Sequence, residues 1–393
     1  MTDRLRVAVT GLAITYPFGG VFWDYVQYAL GLHRLGHDVL YVEDTGRWCY
    51  DPARETFVED GAANAGVFQR HLARLEPELA DRWFYRDGAG ADYGRPWEQT
   101  ATFCRTADLF LHISASCWMR EEYFAAGRVA FVDSDPMFTQ ASVPDYLAGT
   151  ISDEDRERVE TLRRHDVFFT FAENVGGDGC RLPAGLFEWR PTRQPVVLDC
   201  FNGDARARRP VLTTVASWES AEGGRVVDGV EYGGKGPEFE RFIDLPASSA
   251  APLELALAGR APAERLRAHG WLMRDGYEVS RDPWVYRDYL GASLGEWSVA
   301  KNAYVASRSG WFSCRTACYL ALGVPAVVQD TGFSRVLTTG EGLFAFSTLE
   351  EAEAGIEAIV SDPERHGDAA RELVREYFDS DKVLRRLLEE ALA

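Results

Sequence analysis

Short apolar runs of the kind that form buried strands alternate along this chain with segments of helical spacing. The first run, "LRVAVTGLAI", is almost continuously apolar, as expected of a strand covered on both faces. A loop with Pro17, Gly19 and Gly20 leads into "VFWDYVQYALGLHRLG", which has a helical period and stops at Gly36. The strand "DVLYVED" follows. This order predicts a parallel sheet with a right-handed crossover connection.

The same alternation continues to the end of the chain. In the first half, we predict strands at 108–114, 128–136 and 166–174, a helix at 153–164, and a helix followed by a loop within 53–94. A second series begins near Pro210. There "PVLTTVAS", "LELALAG", "YVAS" and "PAVVQD" are β-like, and helices such as "GPEFERFIDLP" lie between them. The pattern indicates an α/β protein with two parallel sheets.

The length of 393 residues exceeds what one hydrophobic core usually serves. We therefore predict two tandem Rossmann-like domains, 1–205 and 206–370, and a C-terminal helical segment, 371–393, that packs back on the first domain. The boundary falls in the polar stretch "NGDARARR" around 203–209. A ligand is expected in the cleft between the two domains.

The charge balance narrows the range of partners. The chain has 61 acidic and 42 basic residues and a formal net charge of −19, which disfavours nucleic acid and anionic membranes as partners. An anionic small ligand would need a local pocket of cations or helix dipoles.

The seven cysteines are scattered without a CxxC pair, so we expect neither a metal site nor a disulfide framework. No apolar run approaches the ~18 residues of a membrane span, and we expect a cytoplasmic protein.

The segment "SRSGWFSCRTACYLALGVPAVVQDTG" (307–332) combines polar side chains with a predicted helix start. Ser309 or Ser313 can cap this helix, and Arg315 and Thr316 lie in its first turns. Free amide groups, hydroxyls and a guanidinium together suit a phosphate or diphosphate, although an ordinary helix cap would show the same residues.

The strand after that helix ends in a second polar group, Gln329, Asp330 and Thr331, followed by Gly332. The carboxyl edge of a parallel sheet is where α/β proteins bind ligands, so these side chains are candidates for hydrogen bonds to sugar hydroxyls. In the first half, the Gly19-Gly20 pair before a helix can let an anion approach the backbone, or can simply form a turn.

These motifs resemble, in order and spacing, those of glycosyltransferases with the GT-B fold. The nucleotide-sugar-binding half of such enzymes has a Ser/Thr-containing helix start, a Gly-x-Pro turn, an apolar strand and a polar loop, matched here by 313–316, 323–325, 326–328 and 329–332. The first half is similar to family 4, the glycogen-synthase-like group, in its Gly-Gly loop and in "LGHDV". "YGGKGPEF" resembles the Lys-Gly segment that holds the donor diphosphate, which implies this role for Lys235.

The chain departs from that family at two positions. Many family 4 enzymes carry two glutamates eight positions apart on the Gly-x-Pro helix, and Gly310 and Cys318 occupy those positions here. A carboxylate that contacts the donor sugar is therefore missing. The resemblance leaves open whether the configuration of the sugar is retained or inverted.

Candidate reacting groups lie in the first half. An inverting transferase needs a general base within hydrogen-bonding reach of the acceptor hydroxyl, and His112, Asp24 and Asp135 are the candidates. In the second half, Trp271 can stack on a nucleobase and Lys301 can reach a phosphate. The alternatives are structural: a core imidazole for His112, a turn for Asp135 and core packing for Trp271.

The resemblance thus implies a metal-independent glycosyltransferase with no cofactor other than its nucleoside-diphosphate sugar co-substrate. The acceptor would be a small molecule, and the tryptophans of the first half leave room for an aromatic or natural-product acceptor. Two alternatives remain open, a nucleotide-sugar epimerase of the same fold and a catalytically silent binding scaffold.

Overall fold

The computed structural model describes residues 4–202, 208–218 and 224–393, which form two Rossmann-like lobes. The predicted domain boundary at 205/206 lies outside the described residues. We call 4–202 the first lobe and the described residues from 208 to 378 the second lobe. None of the described helices has the length and apolar character needed to cross a bilayer.

The first lobe is built on one large sheet. Its strands, together with those of a small hairpin, are β1 (Arg6–Thr10), β2 (Asp38–Asp44), β3 (Cys49–Asp51), β4 (Thr56–Val58), β5 (Trp83–Arg86), β6 (Asp92–Gly94), β7 (Leu109–Ile113), β8 (Val129–Asp133), β9 (Val167–Thr170) and β10 (Trp189–Pro191). Its helices are α1 (Gly19–Arg34), α2 (Ala62–Leu75), α3 (Trp97–Arg105), α4 (Glu121–Phe124), α5 (Val143–Ala148) and α6 (Asp153–Leu162).

The sheet order in this lobe is β10-β9-β8-β7-β1-β2-β5-β6. All neighbouring strands are parallel except β6, which pairs antiparallel with β5. Strands β3 and β4 form a separate antiparallel hairpin beyond the carboxyl end of β2. Because the strands are parallel, the loops after β1, β2, β7, β8 and β9 all lie at one edge of the sheet.

The second lobe repeats this plan with a smaller sheet. Its strands, again with a small hairpin, are β11 (Arg209–Ser217), β12 (Arg225–Val227), β13 (Val230–Tyr232), β14 (Leu253–Ala258), β15 (Leu272–Asp275), β16 (Ser293–Ser298), β17 (Ala326–Gln329) and β18 (Leu343–Phe346). The remaining helices are α7 (Gly236–Arg241), α8 (Ala263–Ala268), α9 (Gly276–Ser280), α10 (Pro283–Gly291), α11 (Asn302–Ser307), α12 (Cys314–Ala321), α13 (Leu349–Ser361), α14 (Pro363–Tyr377) and α15 (Ser380–Leu392).

The second sheet has the order β15-β14-β11-β16-β17-β18 and is parallel throughout, while β12 and β13 form an antiparallel hairpin. The chain returns to the first lobe at its end. Helix α15 packs against α1 so closely that a Cβ on Gly31 would lie 2.5 Å from Leu384. The C-terminal segment was predicted to begin at residue 371, but that position lies inside α14 (Pro363–Tyr377). The chain leaves the second lobe after α14, and only α15 returns to the first lobe.

The predicted fold class, two Rossmann-like α/β domains, is confirmed. Two local predictions are wrong. The stretch 53–94 contains strands β5 and β6 as well as a helix, and "YVAS" lies in α11, while the strand of that region is β16. A four-residue apolar piece cannot distinguish a buried helix from a strand by periodicity, and here helical packing prevailed.

Candidate functional site

The carboxyl edges of the two sheets face each other across a cleft. Asp135, just after β8, receives hydrogen bonds of 2.8 and 2.6 Å from the Nζ of Lys301, which follows β16. The indole of Trp311, ahead of α12, donates to the carbonyl of Ser134 at 2.9 Å and stacks on Tyr304 with a centroid distance of 4.1 Å. These contacts bring the ends of the strands of both lobes to one place.

Arg315, in the first turn of α12, is fixed in this cleft. Its Nε donates to Glu296 at 2.7 Å, one terminal nitrogen donates to Ser298 Oγ at 2.7 Å, and the other donates to the Val215 carbonyl at 2.9 Å. Glu296 is fully buried in β16, and its second carboxylate oxygen has no partner among the described residues. The buried carboxylate therefore holds the guanidinium in one orientation.

Lys235 is a third cation near Arg315 and Lys301, and it makes no ion pair with any of the described residues. Its charged neighbours are Arg315, Lys301, Asp135 and Glu296. Burial, and then repulsion from Arg315 and Lys301, lower the pKa of Lys235 from 10.5 to about 7. Glu296 and Asp135 are already engaged by the other two cations. A bound anion would supply the charge that stabilises the ammonium form.

The start of α12 offers donors beside these cations. Ser313 occupies the N-cap position, but its hydroxyl makes no capping bond. The hydroxyl of Thr316 is buried and has no partner among the described residues. Both line a small pocket with Arg315, between α12 and the ends of β16 and β17. The free amides of a first helical turn favour negative charge, so the start of α12 presents donors to an anion that approaches it.

Asp24 approaches the same place from the first lobe. It lies on α1, and burial raises the pKa of its carboxyl to about 7, while Arg315 opposes that rise. Asp24 and Asp135 are thus the two predicted bases that the structure brings to the cleft, opposite the three cations.

Gly19 and Gly20 serve the contact between the lobes. A Cβ on Gly19 would lie 2.5 Å from the Cβ of Tyr286 and 2.7 Å from the Asp282 carbonyl, and one on Gly20 would lie 3.5 Å from the Tyr286 ring. Helix α10 therefore occupies the space where we expected an anion. Glycine is needed at position 19, because any larger residue there would separate α1 from α10, whereas a Cβ at Gly20 would make an ordinary van der Waals contact.

Ser309, Gly310 and Gly332 form a second junction, with Asn174 of the first lobe. The Asn174 amide nitrogen donates to Gly332 O at 3.0 Å, and its backbone N–H donates to Ser309 O at 2.9 Å. Gly310 and Gly332 have φ of +79° and +96°, and a Cβ on either would lie 3.0 Å or less from Asn174. Both glycines are required for this close approach. Thr331 O accepts from the Gly310 N–H at 2.9 Å.

The polar side chains after β17 are already occupied. Gln329 is buried, donates to Glu238 at 2.6 Å and accepts from the Ala300 N–H at 3.1 Å. Asp330 accepts from the Gly332 N–H at 2.8 Å, and the hydroxyl of Thr331 donates to Trp311 O at 2.5 Å. In this arrangement they shape the loop instead of presenting free groups to a sugar.

His112 and Trp271 lie in cores, which agrees with the structural alternatives for both and not with their functional interpretations. His112 is buried, with its Nδ1 2.9 Å from His165 and its Nε2 accepting from the Cys117 N–H at 3.3 Å. Burial, and then His165, hold the pKa of this imidazole well below its ordinary value. Trp271 is 2% exposed, donates to the Ile243 carbonyl at 2.8 Å and packs on Trp297. Neither ring has a face toward the cleft.

Three residues of the cleft escaped the sequence analysis: Glu296, Asn174 and Trp311. The one available signal was for Glu296, a single acidic residue within the strand-like "SLGEWS". A carboxylate there must be paired, since a buried unpaired charge is costly. For Asn174 and Trp311 the partners lie more than a hundred positions away, and no local pattern marks them.

Comparison with known proteins bears on the fold. No protein-family model matches the chain, and no curated protein matches it. Among solved structures it is similar to AviGT4, a glycosyltransferase involved in avilamycin A biosynthesis (TM-score 0.57, 13% identity, 98% of this chain and 97% of that chain). It is also similar to a glycosyltransferase from Rickettsia africae (0.52, 12%, 99% and 98%) and to HepE from Anabaena in complex with UDP-glucose (0.52, 11%, 98% and 99%).

These similarities extend over both lobes, so the chain has the GT-B fold of these glycosyltransferases. At such low identity they establish the architecture, and the chemistry must be argued from the site itself.

Proposed function

We propose that this protein is a glycosyltransferase that moves a sugar from a nucleoside-diphosphate sugar to a small-molecule acceptor without a metal ion. The observation that carries the proposal is the convergence of Lys235, Lys301 and Arg315 beside the start of α12. The GT-B fold and the UDP-glucose bound by HepE support the same interpretation.

In this proposal the second lobe stabilises the leaving diphosphate. Breaking the bond between the sugar and the phosphate oxygen leaves negative charge on that oxygen. Lys235 and Arg315, with the first-turn amides of α12 and the hydroxyls of Ser313 and Thr316, would receive that charge. Lys301 would exchange Asp135 for a phosphate oxygen. Three cations of this kind do the electrostatic work that a divalent metal does elsewhere.

The general base would come from Asp24 or Asp135. A carboxyl with a pKa of about 7, such as Asp24, is well matched to accept a proton at neutral pH. Asp135 lies at the mouth of the same cleft and is freed when Lys301 turns to the donor. His112 is not a candidate for the general base, because both of its ring nitrogens are engaged inside the first lobe.

The acceptor would lie on the first lobe, where two tryptophans are exposed at the carboxyl edge of the sheet. Trp48 is 52% exposed and Trp118 is 62% exposed. The backbone N–H of Trp118 donates to the Asp44 carbonyl at 2.6 Å, and the Trp118 ring lies over Gly46, so the loops after β2 and β7 are joined. Exposed indoles stack well on flat rings, which supports an aromatic or natural-product acceptor.

The test is calorimetry with a panel of uridine, thymidine, guanosine and adenosine diphosphate sugars, followed by product analysis with and without acceptors, in buffer containing a metal chelator. We expect one donor to bind and to lose at least tenfold in affinity in Lys235→Ala. Neither Asp24→Asn nor Asp135→Asn should weaken donor binding, because each removes a negative charge near the diphosphate site, and one of them should lose turnover. Binding of no donor sugar would refute the proposal, and conversion of the donor sugar without acceptor would favour an epimerase.

A further inference from the structure

Four arginines surround an open groove at the amino-terminal edge of the first sheet, on the side away from the cleft. Arg6 is the first residue of β1 and Arg4 lies two positions before it, Arg82 immediately precedes β5, and Arg95 follows the antiparallel β6. The groove is completed by Asp38, Phe103, Thr106 and Asp108. At about 3.3 Å per residue, the five residues of β1 separate this groove from the carboxyl edge by roughly 16 Å. It is therefore distinct from the proposed donor site.

Cations outnumber carboxylates in the groove. Asp38 pairs with Arg82 and also lies 3.4 Å from Arg6 Nε. The carboxylate of Asp108 accepts from the backbone N–H of Arg6 at 2.7 Å. One carboxylate thus serves two guanidiniums and the other is bound by the main chain. A local excess of positive charge stands out on a chain with a net charge of −19.

Arg95 has no carboxylate at ion-pair distance within the described residues. Its guanidinium lies 5.7 Å from the centroid of Phe103, and that of Arg6 lies 5.1 Å from the same ring. Burial, followed by repulsion from Arg82, lowers the pKa of Arg95 below its ordinary value. Three guanidiniums are therefore held close together around an aromatic floor, and a bound anion would relieve their repulsion.

We propose that this groove binds a small phosphate-type oxyanion, with Arg95 as its principal ligand and Arg6 and Arg82 beside it. A guanidinium donates two parallel hydrogen bonds, which match two oxygens of a phosphate group. The hydroxyl of Thr106, which already accepts from Arg6 at 2.6 Å, fixes one of these forks toward the groove. The site would operate independently of the cleft.

The test is calorimetric titration of the full chain with inorganic diphosphate at about 150 mM salt, where loose surface charge is screened. Because the cleft also attracts diphosphate, the titration is made in a Lys235→Ala background. We expect one site to remain, to lose at least tenfold in affinity with Arg95→Gln, and to be intermediate with Arg95→Lys, which keeps the charge but not the fork. Arg158→Gln, an exposed arginine on α6, is the matched control.

Two results would overturn the proposal. One is an unchanged affinity of the remaining site in Arg95→Gln, or no remaining site at all. The other is an equal loss in Arg158→Gln, which would show that only the overall charge attracts diphosphate. Thermal unfolding of each variant without ligand shows whether it is folded. If Arg95→Gln is not folded, the affinity of Arg95→Lys is used in its place.

Discussion

The lowered pKa of Lys235 makes the pH dependence of donor binding a direct test of the proposed site. An ammonium group with a pKa of about 7 is largely neutral at pH 8 in the free protein. A diphosphate placed against it restores the charged form, so binding must take up a proton. The affinity for an intact nucleoside-diphosphate sugar should therefore fall as the pH rises through 7. The diphosphate of such a donor keeps its charge over this range, so the donor adds no titration of its own.

The size of this change in donor affinity follows from the pKa of Lys235 in the free protein and in the complex. If the bound complex restores the ordinary pKa of 10.5, the fraction of charged lysine in the free protein limits the affinity. Between pH 6.5 and pH 8.5 the titration of Lys235 alone should raise the dissociation constant about 25-fold, and this lysine should take up about 0.9 proton at pH 8. Calorimetry in two buffers of different ionisation enthalpy measures both quantities.

Lys235→Arg is the matched variant, because arginine keeps its charge over the whole range. Its pH profile should be flat apart from the contribution of Asp24, whose pKa of about 7 adds a negative charge near Arg315 in the same window. Asp24→Asn removes that second contribution. A wild-type slope that persists in the Lys235→Arg/Asp24→Asn double variant, or binding to the wild-type protein without proton uptake at pH 8, would refute the assignment of Lys235 to the diphosphate.

Two further predictions separate the site from the core. Trp118→Ala should raise the KM for the acceptor about tenfold and leave the KM for the donor unchanged, since stacking contributes about 1.4 kcal/mol. The control is Val360→Ala, which truncates an exposed apolar side chain on α13. An effect of Trp118→Ala on the donor KM alone would contradict the acceptor assignment. His112→Gln should lower the free energy of unfolding in urea by about 1–3 kcal/mol, because its partner His165 is buried, while turnover stays within about twofold. A large loss of turnover without loss of stability would restore His112 as a catalytic candidate.

Local patterns were sufficient to predict the class of the fold and the long, strongly apolar strands. The runs that became β1, β2, β7, β8 and β9 are almost continuously apolar, as expected of strands that are buried on both faces. The failures were short or mixed segments, such as "YVAS" and the region containing β5 and β6. In those places the local signal is the same for helix and strand, and the neighbouring elements decide.

The sequence by itself determined which residue types would meet at the carboxyl edges of two parallel sheets, because parallel strands place their following loops at the same edge. Only the tertiary structure decided which of them face the cleft. Lys235, Lys301 and Arg315 are brought together there, whereas Trp271 and His112 are turned into cores. The physical reason is that the direction of a side chain depends on packing between elements distant in sequence, and no local periodicity encodes it.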